Sequence, residues 1–167
     1  DESELLNGKL ETTNEAYALS KIIGLKLCQY FRQLYKRNYF TIMPTNLYGE
    51  NDNYNPTTSH VIPAIISKVK KAKENNYKEI KLLGTGKAKR DFLYVDDLAE
   101  ASIIAMKKNK KYSIINIGSG QEINIKKLSN LILKISNYKA KIIFESDVPD
   151  GTPRKLLNSS RIQSMGW

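Results

Sequence analysis

Amphipathic helical segments alternate with short runs rich in isoleucine, leucine and valine along this chain, and that alternation restricts its fold more than any other feature. From Thr13 to about Lys36, Ala16, Ile22, Ile23, Leu27, Tyr30, Phe31 and Leu34 recur at helical spacing, with Thr13 or Asn14 placed to cap. Tyr39 to Met43 (YFTIM) reads as a short buried strand, and Pro44 to Ser59 as a long loop. A second helix is expected from His60 to Asn75, with Pro63 tolerable in its first turn. EIKLLG, DFLYV, SIINIG and AKIIFE read as strands. Asp96 is expected to cap the helix DLAEASIIAMKK, and Asn124 to Ser136 forms another amphipathic helix. SGQE reads as a turn, PDGTPRK as a loop and SSRIQSMGW as the start of a short terminal helix. Strands alternating with helices imply an α/β fold with a largely parallel sheet.

Composition narrows the function classes. Of 167 residues, 41% are apolar and 26% charged, which suits a packed core. No apolar run approaches the roughly 18 residues of a membrane span, and the polar start DESELLNGKLETTNE does not read as a signal peptide. The single Cys28 precludes an internal disulfide and fits a reducing, cytoplasmic setting. Lys and Arg number 27 against 17 acids, a net charge of +10. The excess is scattered among many lysines, and its densest run, KVKKAKENNYK, reads as the solvated face of a helix. Without a nucleic-acid motif, charge alone does not imply a nucleic-acid binder.

Three features carry chemistry. Tyr17 and Lys21 form YxxxK, and residues four apart share a helix face. An ammonium beside a phenol favours the phenolate, and such a phenol can pass a proton to a substrate oxygen while hydride moves at carbon. Tyr77 and Lys81 match the same pattern but straddle a helix-to-strand boundary, where the geometry fails. His60, the only histidine, is either a helix-terminal surface residue or an acid/base group. Asp96 and Asp97 read as a cap and a first-turn acid, not as a catalytic pair. GTGKAK lacks the third glycine of a dinucleotide fingerprint and leads into a strand. The chain by itself is therefore expected to lack reductase activity. No metal-ligand cluster is evident, and reduction without a metal is expected.

The order YALSK, helix, strand, PTNLYGENDN, then SHVIPAIISKV, LLGTGKAKRDFLYVDDLAEA, INIGSG and PDGTPRKLLNSSRIQSMGW resembles the extended short-chain dehydrogenases/reductases. Within them it resembles the GDP-L-fucose synthase family, and DNYNPTTSHVIPA and DGTPRKLLNSSRI are the most specific stretches. The resemblance implies the C-terminal part of a Rossmann-like enzyme with a smaller α/β substrate-binding domain. Residues 1–47 would close the dinucleotide-binding domain, 48–167 would mainly bind the nucleotide sugar, and 91–117 would return to the Rossmann sheet. The implied activity, in the full-length context, is NADPH-dependent 3,5-epimerisation and 4-reduction of GDP-4-keto-6-deoxy-D-mannose. Tyr17 would protonate the ketone oxygen, Lys21 would orient it and bind cofactor ribose, and His60 would serve epimerisation. Pro44, Thr45, Asn46 and Leu47 would line the nicotinamide with His60 nearby. Lys68, Leu83, Arg90, Asp150 and Lys155 would bind substrate, the three cations at the GDP diphosphate. The family's catalytic Ser and Cys lie upstream of YxxxK, and Cys28 is not that Cys. A homodimer through the YxxxK helix is implied, with no nucleic acid or membrane partner. Another nucleotide-sugar epimerase or dehydratase, or a non-catalytic binding module, remains an alternative.

Overall fold

The computed structural model describes residues 1–147 and 151–167. Two compact units divide the chain, the first made of residues 1–45, 95–120 and 157–167, the second of residues 46–94 and 121–156.

In the first unit, helix α1 (Glu15–Tyr35) follows the expected apolar periodicity and stops where Lys36 turns left-handed at φ 52°. Asn14 occupies the N-cap but makes no side-chain capping bond. Strand β1 (Thr41–Pro44) pairs in parallel with β5 (Ile114–Ile117), Ile42 opposite Ile115. Ile115 and Ile117 are completely buried, as are Ala101 and Ala105 of α3 (Val95–Lys108) and Ile162 of α5 (Ser160–Gln163). The two alanines give α3 a flat inner face that other elements can approach closely. Helix α3 starts at Val95, so Asp96 lies inside its first turn and is not the expected cap. Acids there still favour the positive end of the helix.

The ends of the unit are tied together by charge. The Glu2 carboxylate accepts the Asn116 backbone N–H at 2.9 Å and lies 3.3 Å from the Arg161 guanidinium. Arg161 also donates to the Ile114 carbonyl and stacks over the Tyr112 ring. Glu2 is buried and Arg161 half-buried, so Arg161 supplies the partner that the desolvated Glu2 charge requires.

The second unit is built on two helices. Helix α2 (Val61–Glu74) and α4 (Ile125–Ile135) pack together, and Asn124 caps α4 by accepting the Lys127 N–H at 2.7 Å. Ile65, Val69, Ala72, Leu128 and Leu133 form a core with Ile80 and Leu82 of β3 (Glu79–Leu83). Strand β3 pairs in parallel with β7 (Lys141–Glu145). Three strands were not expected from sequence: β2 (Asn46–Tyr48), β6 (Glu122–Asn124) and β8 (Arg154–Lys155). All three pair with β4 (Lys89–Tyr94), β2 and β8 in parallel and β6 antiparallel.

Candidate active site

Tyr17 and Lys21 sit on successive turns of α1, with the Lys21 Nζ 5.3 Å from the centre of the Tyr17 ring. The phenol is 66% exposed and Lys21 is exposed beside it. A helix guarantees this adjacency, because residues four apart lie one above the other. The pair presents a hydroxyl that can give or take a proton and an ammonium with three donors. That donor set fits a ribose hydroxyl beside a reacting carbonyl. Tyr77 lies outside α2, in the turn before β3, so its match to Lys81 has no helical face to share. Cys28 is half-buried on α1.

Pro44 and Thr45 close the first unit's strand pair, the Thr45 N–H donating to the Ile117 carbonyl at 2.9 Å. Asn46 and Leu47 begin the second unit: the Asn46 amide donates to the Asp91 carbonyl at 2.8 Å, and Leu47 lies opposite Leu93. The polar loop beyond them is ordered by its own side chains. Asn53 binds Thr58 Oγ1 and the Asn55 N–H, and Asn55 binds the Thr57 N–H, the local bonding that lets asparagine shape turns. This loop delivers His60 to the N-cap of α2, exposed and with no side-chain capping bond. Its imidazole is not occupied in ending the helix.

The expected substrate cations differ in their surroundings. Lys68 on α2 donates its ammonium to the Lys81 carbonyl at 2.8 Å. Leu83, at the end of β3, is 61% exposed. Arg90 on β4 donates to the Lys89 carbonyl at 2.7 Å. Its register partner on β8 is Lys155, so two of the three expected phosphate cations stand side by side, far apart as they are in sequence. Asp150 lies outside the described residues. Sequence reading missed Glu122, whose carboxylate takes Lys89 Nζ at 2.8 Å and Arg154 Nε at 2.5 Å. Those two bonds, Lys89 first and Arg154 second, hold its carboxyl below the usual carboxylate range. The available signal was the alternation of Lys89 and Asp91 with Arg90 along β4, legible only once β6 and β8 are known to flank it. Among the described residues no group of three or more His, Cys, Asp or Glu could hold a metal ion.

The model of the NAD dependent epimerase/dehydratase family matches residues 1–118. The chain belongs to this family. Among its curated relatives, the GDP-L-fucose synthase of Escherichia coli (strain K12) is 44% identical over 99% of this chain and 54% of its own length. The GDP-L-fucose synthase of Sinorhizobium fredii (strain NBRC 101917 / NGR234) is 46% identical over 99% of the chain and 53% of its own length. The chain thus spans about half the length of the curated relatives it matches. Among solved structures, a GDP-L-fucose synthetase from Naegleria fowleri bound to NADP superposes with a TM-score of 0.90 at 25% identity, covering 99% of this chain and 54% of that one. The fold is therefore the Rossmann-like α/β fold of extended short-chain dehydrogenases/reductases. No helix among the described residues is long and apolar enough to cross a membrane.

Proposed function

We propose that this member of the epimerase/dehydratase family provides the YxxxK pair and the substrate-binding part of an NADPH-dependent GDP-L-fucose synthase. The substrate would be GDP-4-keto-6-deoxy-D-mannose, epimerised at carbons 3 and 5 and reduced at carbon 4. The observation that carries the reading is the Tyr17–Lys21 pair, a phenol and an ammonium adjacent on one exposed helix face. The choice of substrate is supported by similarity to GDP-L-fucose synthases along 99% of the chain.

NADPH, when bound, supplies the hydride that adds to the ketone carbon. The Tyr17 hydroxyl gives its proton to the ketone oxygen as that oxygen gains charge, and the Lys21 ammonium stabilises the phenolate left behind. Lys21 also donates to the cofactor ribose, while Pro44, Thr45, Asn46 and Leu47, with His60, line the nicotinamide side. For epimerisation, protons leave and return at the carbons flanking the ketone, which acidifies them. His60 is suited to this because an imidazole can both accept and donate a proton. Arg90, Lys155 and Lys68 neutralise the diphosphate, Leu83 packs against the nucleotide and Asp150 belongs to the same substrate group. The enzyme works in the cytoplasm as a homodimer, a second copy covering part of the exposed apolar surface of α1, where Ile23, Leu27, Tyr30 and Leu34 are each half or more exposed.

NADPH oxidation by the full-length protein with GDP-4-keto-6-deoxy-D-mannose tests the reading. Tyr17→Phe removes only a hydroxyl and leaves the ring, so turnover should fall roughly a hundredfold or more while affinity for GDP stays unchanged. Wild-type turnover in Tyr17→Phe would remove Tyr17 from the chemistry.

A further inference from the structure

The β6–β4–β8 ribbon mixes acids and cations on one face, where Asp91 lies opposite Glu122, and carries the cations Arg90 and Lys155 on the other. Side chains alternate along a strand and register partners share a face. Lys89 and its partner Arg154 therefore lie on one face, with Glu122 reaching across from β6, while Arg90 and its partner Lys155 lie on the other. Like charges directly opposite on neighbouring strands repel, so the Arg90–Lys155 pairing is unfavourable by itself. Strand β8 is two residues long, too short for its backbone bonds to fix its register strongly. The Glu122 carboxylate spans all three strands, one oxygen on Lys89 of β4 and the other on Arg154 of β8. The Glu122 side chain is 20% exposed, but Lys89 and Arg154 are 52% and 61% exposed, so the clasp works through its two-point geometry and is open to screening by salt.

We propose that Glu122 is a positioning residue: by clasping Lys89 and Arg154 it holds β8 against β4 and so keeps Lys155 beside Arg90 as a paired cation seat for a nucleoside diphosphate. The inference deepens the functional reading above and rests on it. Glu122 itself touches no ligand, because an acid on the opposite face of the ribbon stays out of reach of the phosphates it would repel. Lys155 has no ion-pair partner among the described residues, so its ammonium is available to an anion.

Calorimetric titration of GDP into the full-length protein tests this, with guanosine as the probe lacking phosphates. Glu122→Gln is isosteric but uncharged, and should weaken GDP about five- to tenfold, the scale of one misplaced charge-assisted contact, while guanosine affinity changes less than about twofold. Glu122→Asp should recover most of the loss. Because Glu122 acts through Lys155, the double variant Glu122→Gln/Lys155→Ala should bind GDP no more weakly than Lys155→Ala alone. If Glu122→Gln does not fold, Arg154→Gln opens the same clasp from the β8 side and should give the same pattern. Unchanged GDP affinity in Glu122→Gln while Arg90→Ala and Lys155→Ala weaken it would overturn this inference alone. Equal loss of GDP and guanosine, or additive losses in the double variant, would reduce Glu122 to a structural staple. Wild type that fails to bind GDP would overturn the nucleotide-site reading and this inference with it.

Discussion

Gly86 offers the sharpest local test of how the second unit is packed. It turns the chain after β3 at φ +73°, and a Cβ built there would lie 2.6 Å from two atoms of the Phe144 ring on β7. Ordinary contacts between such carbons are about 3.5–4.0 Å, so the ring or the loop must move by roughly 1 Å. Gly86→Ala therefore combines two costs. The left-handed backbone costs an L-residue about 1–2 kcal/mol. Overpacking against a half-buried ring that packs on the core adds about 1–3 kcal/mol. A loss of roughly 2–5 kcal/mol is expected from those two terms together. Loop and helix are coupled, because the Gly86 carbonyl accepts the Lys126 N–H at 3.0 Å at the start of α4. Urea denaturation should show it as a lower midpoint with an unchanged slope. The double variant Gly86→Ala/Phe144→Leu separates the terms: removing the ring should recover the steric part, a coupling of about 1 kcal/mol or more. Gly120 provides a control, at φ +74° with open space where a Cβ would sit, so Gly120→Ala should cost only the backbone term. Additive behaviour of Gly86→Ala with Phe144→Leu, or a loss no larger than that of Gly120→Ala, would refute the packing account.

Three further outcomes are expected. Arg161→Met leaves the buried Glu2 carboxylate without its cation, and should cost about 3 kcal/mol in chemical denaturation, whereas Glu2→Gln/Arg161→Met together should cost less than the single change. His60→Asn in the full-length enzyme should slow deuterium exchange at the sugar carbons beside the ketone more than it slows reduction, as followed by NMR; undiminished exchange would return His60 to the role of an exposed helix-terminal residue. Light scattering of the full-length protein at micromolar concentration should give the mass of a dimer, and Leu34→Lys, at a position 71% exposed on α1, should shift it toward monomer; a monomeric wild type would leave the apolar surface of α1 to another partner.

Whatever depends on neighbours along the chain is legible in the order of the residues. The helices α1, α2 and α4 are legible because their apolar residues repeat every three or four positions, and the observed spans Glu15–Tyr35, Val61–Glu74 and Ile125–Ile135 fall within the expected ones. The Tyr17–Lys21 pair belongs to the same category, since a helix makes spacing into contact. The longer strands β1, β3, β4, β5 and β7 announce themselves by β-branched and aromatic content. Tertiary structure alone decided the rest. Strands β2, β6 and β8 are two or three residues long and carry no periodic signal of their own. They exist because β4 offers edges for Asn46, Glu122 and Arg154 to reach from distant parts of the chain. The same pairing brings Arg90 to Lys155 and gives Glu122 its two cations. A run of residues encodes its own periodicity, but hydrogen bonding between strand edges is blind to sequence distance, so which charges become neighbours is settled only when the strands meet.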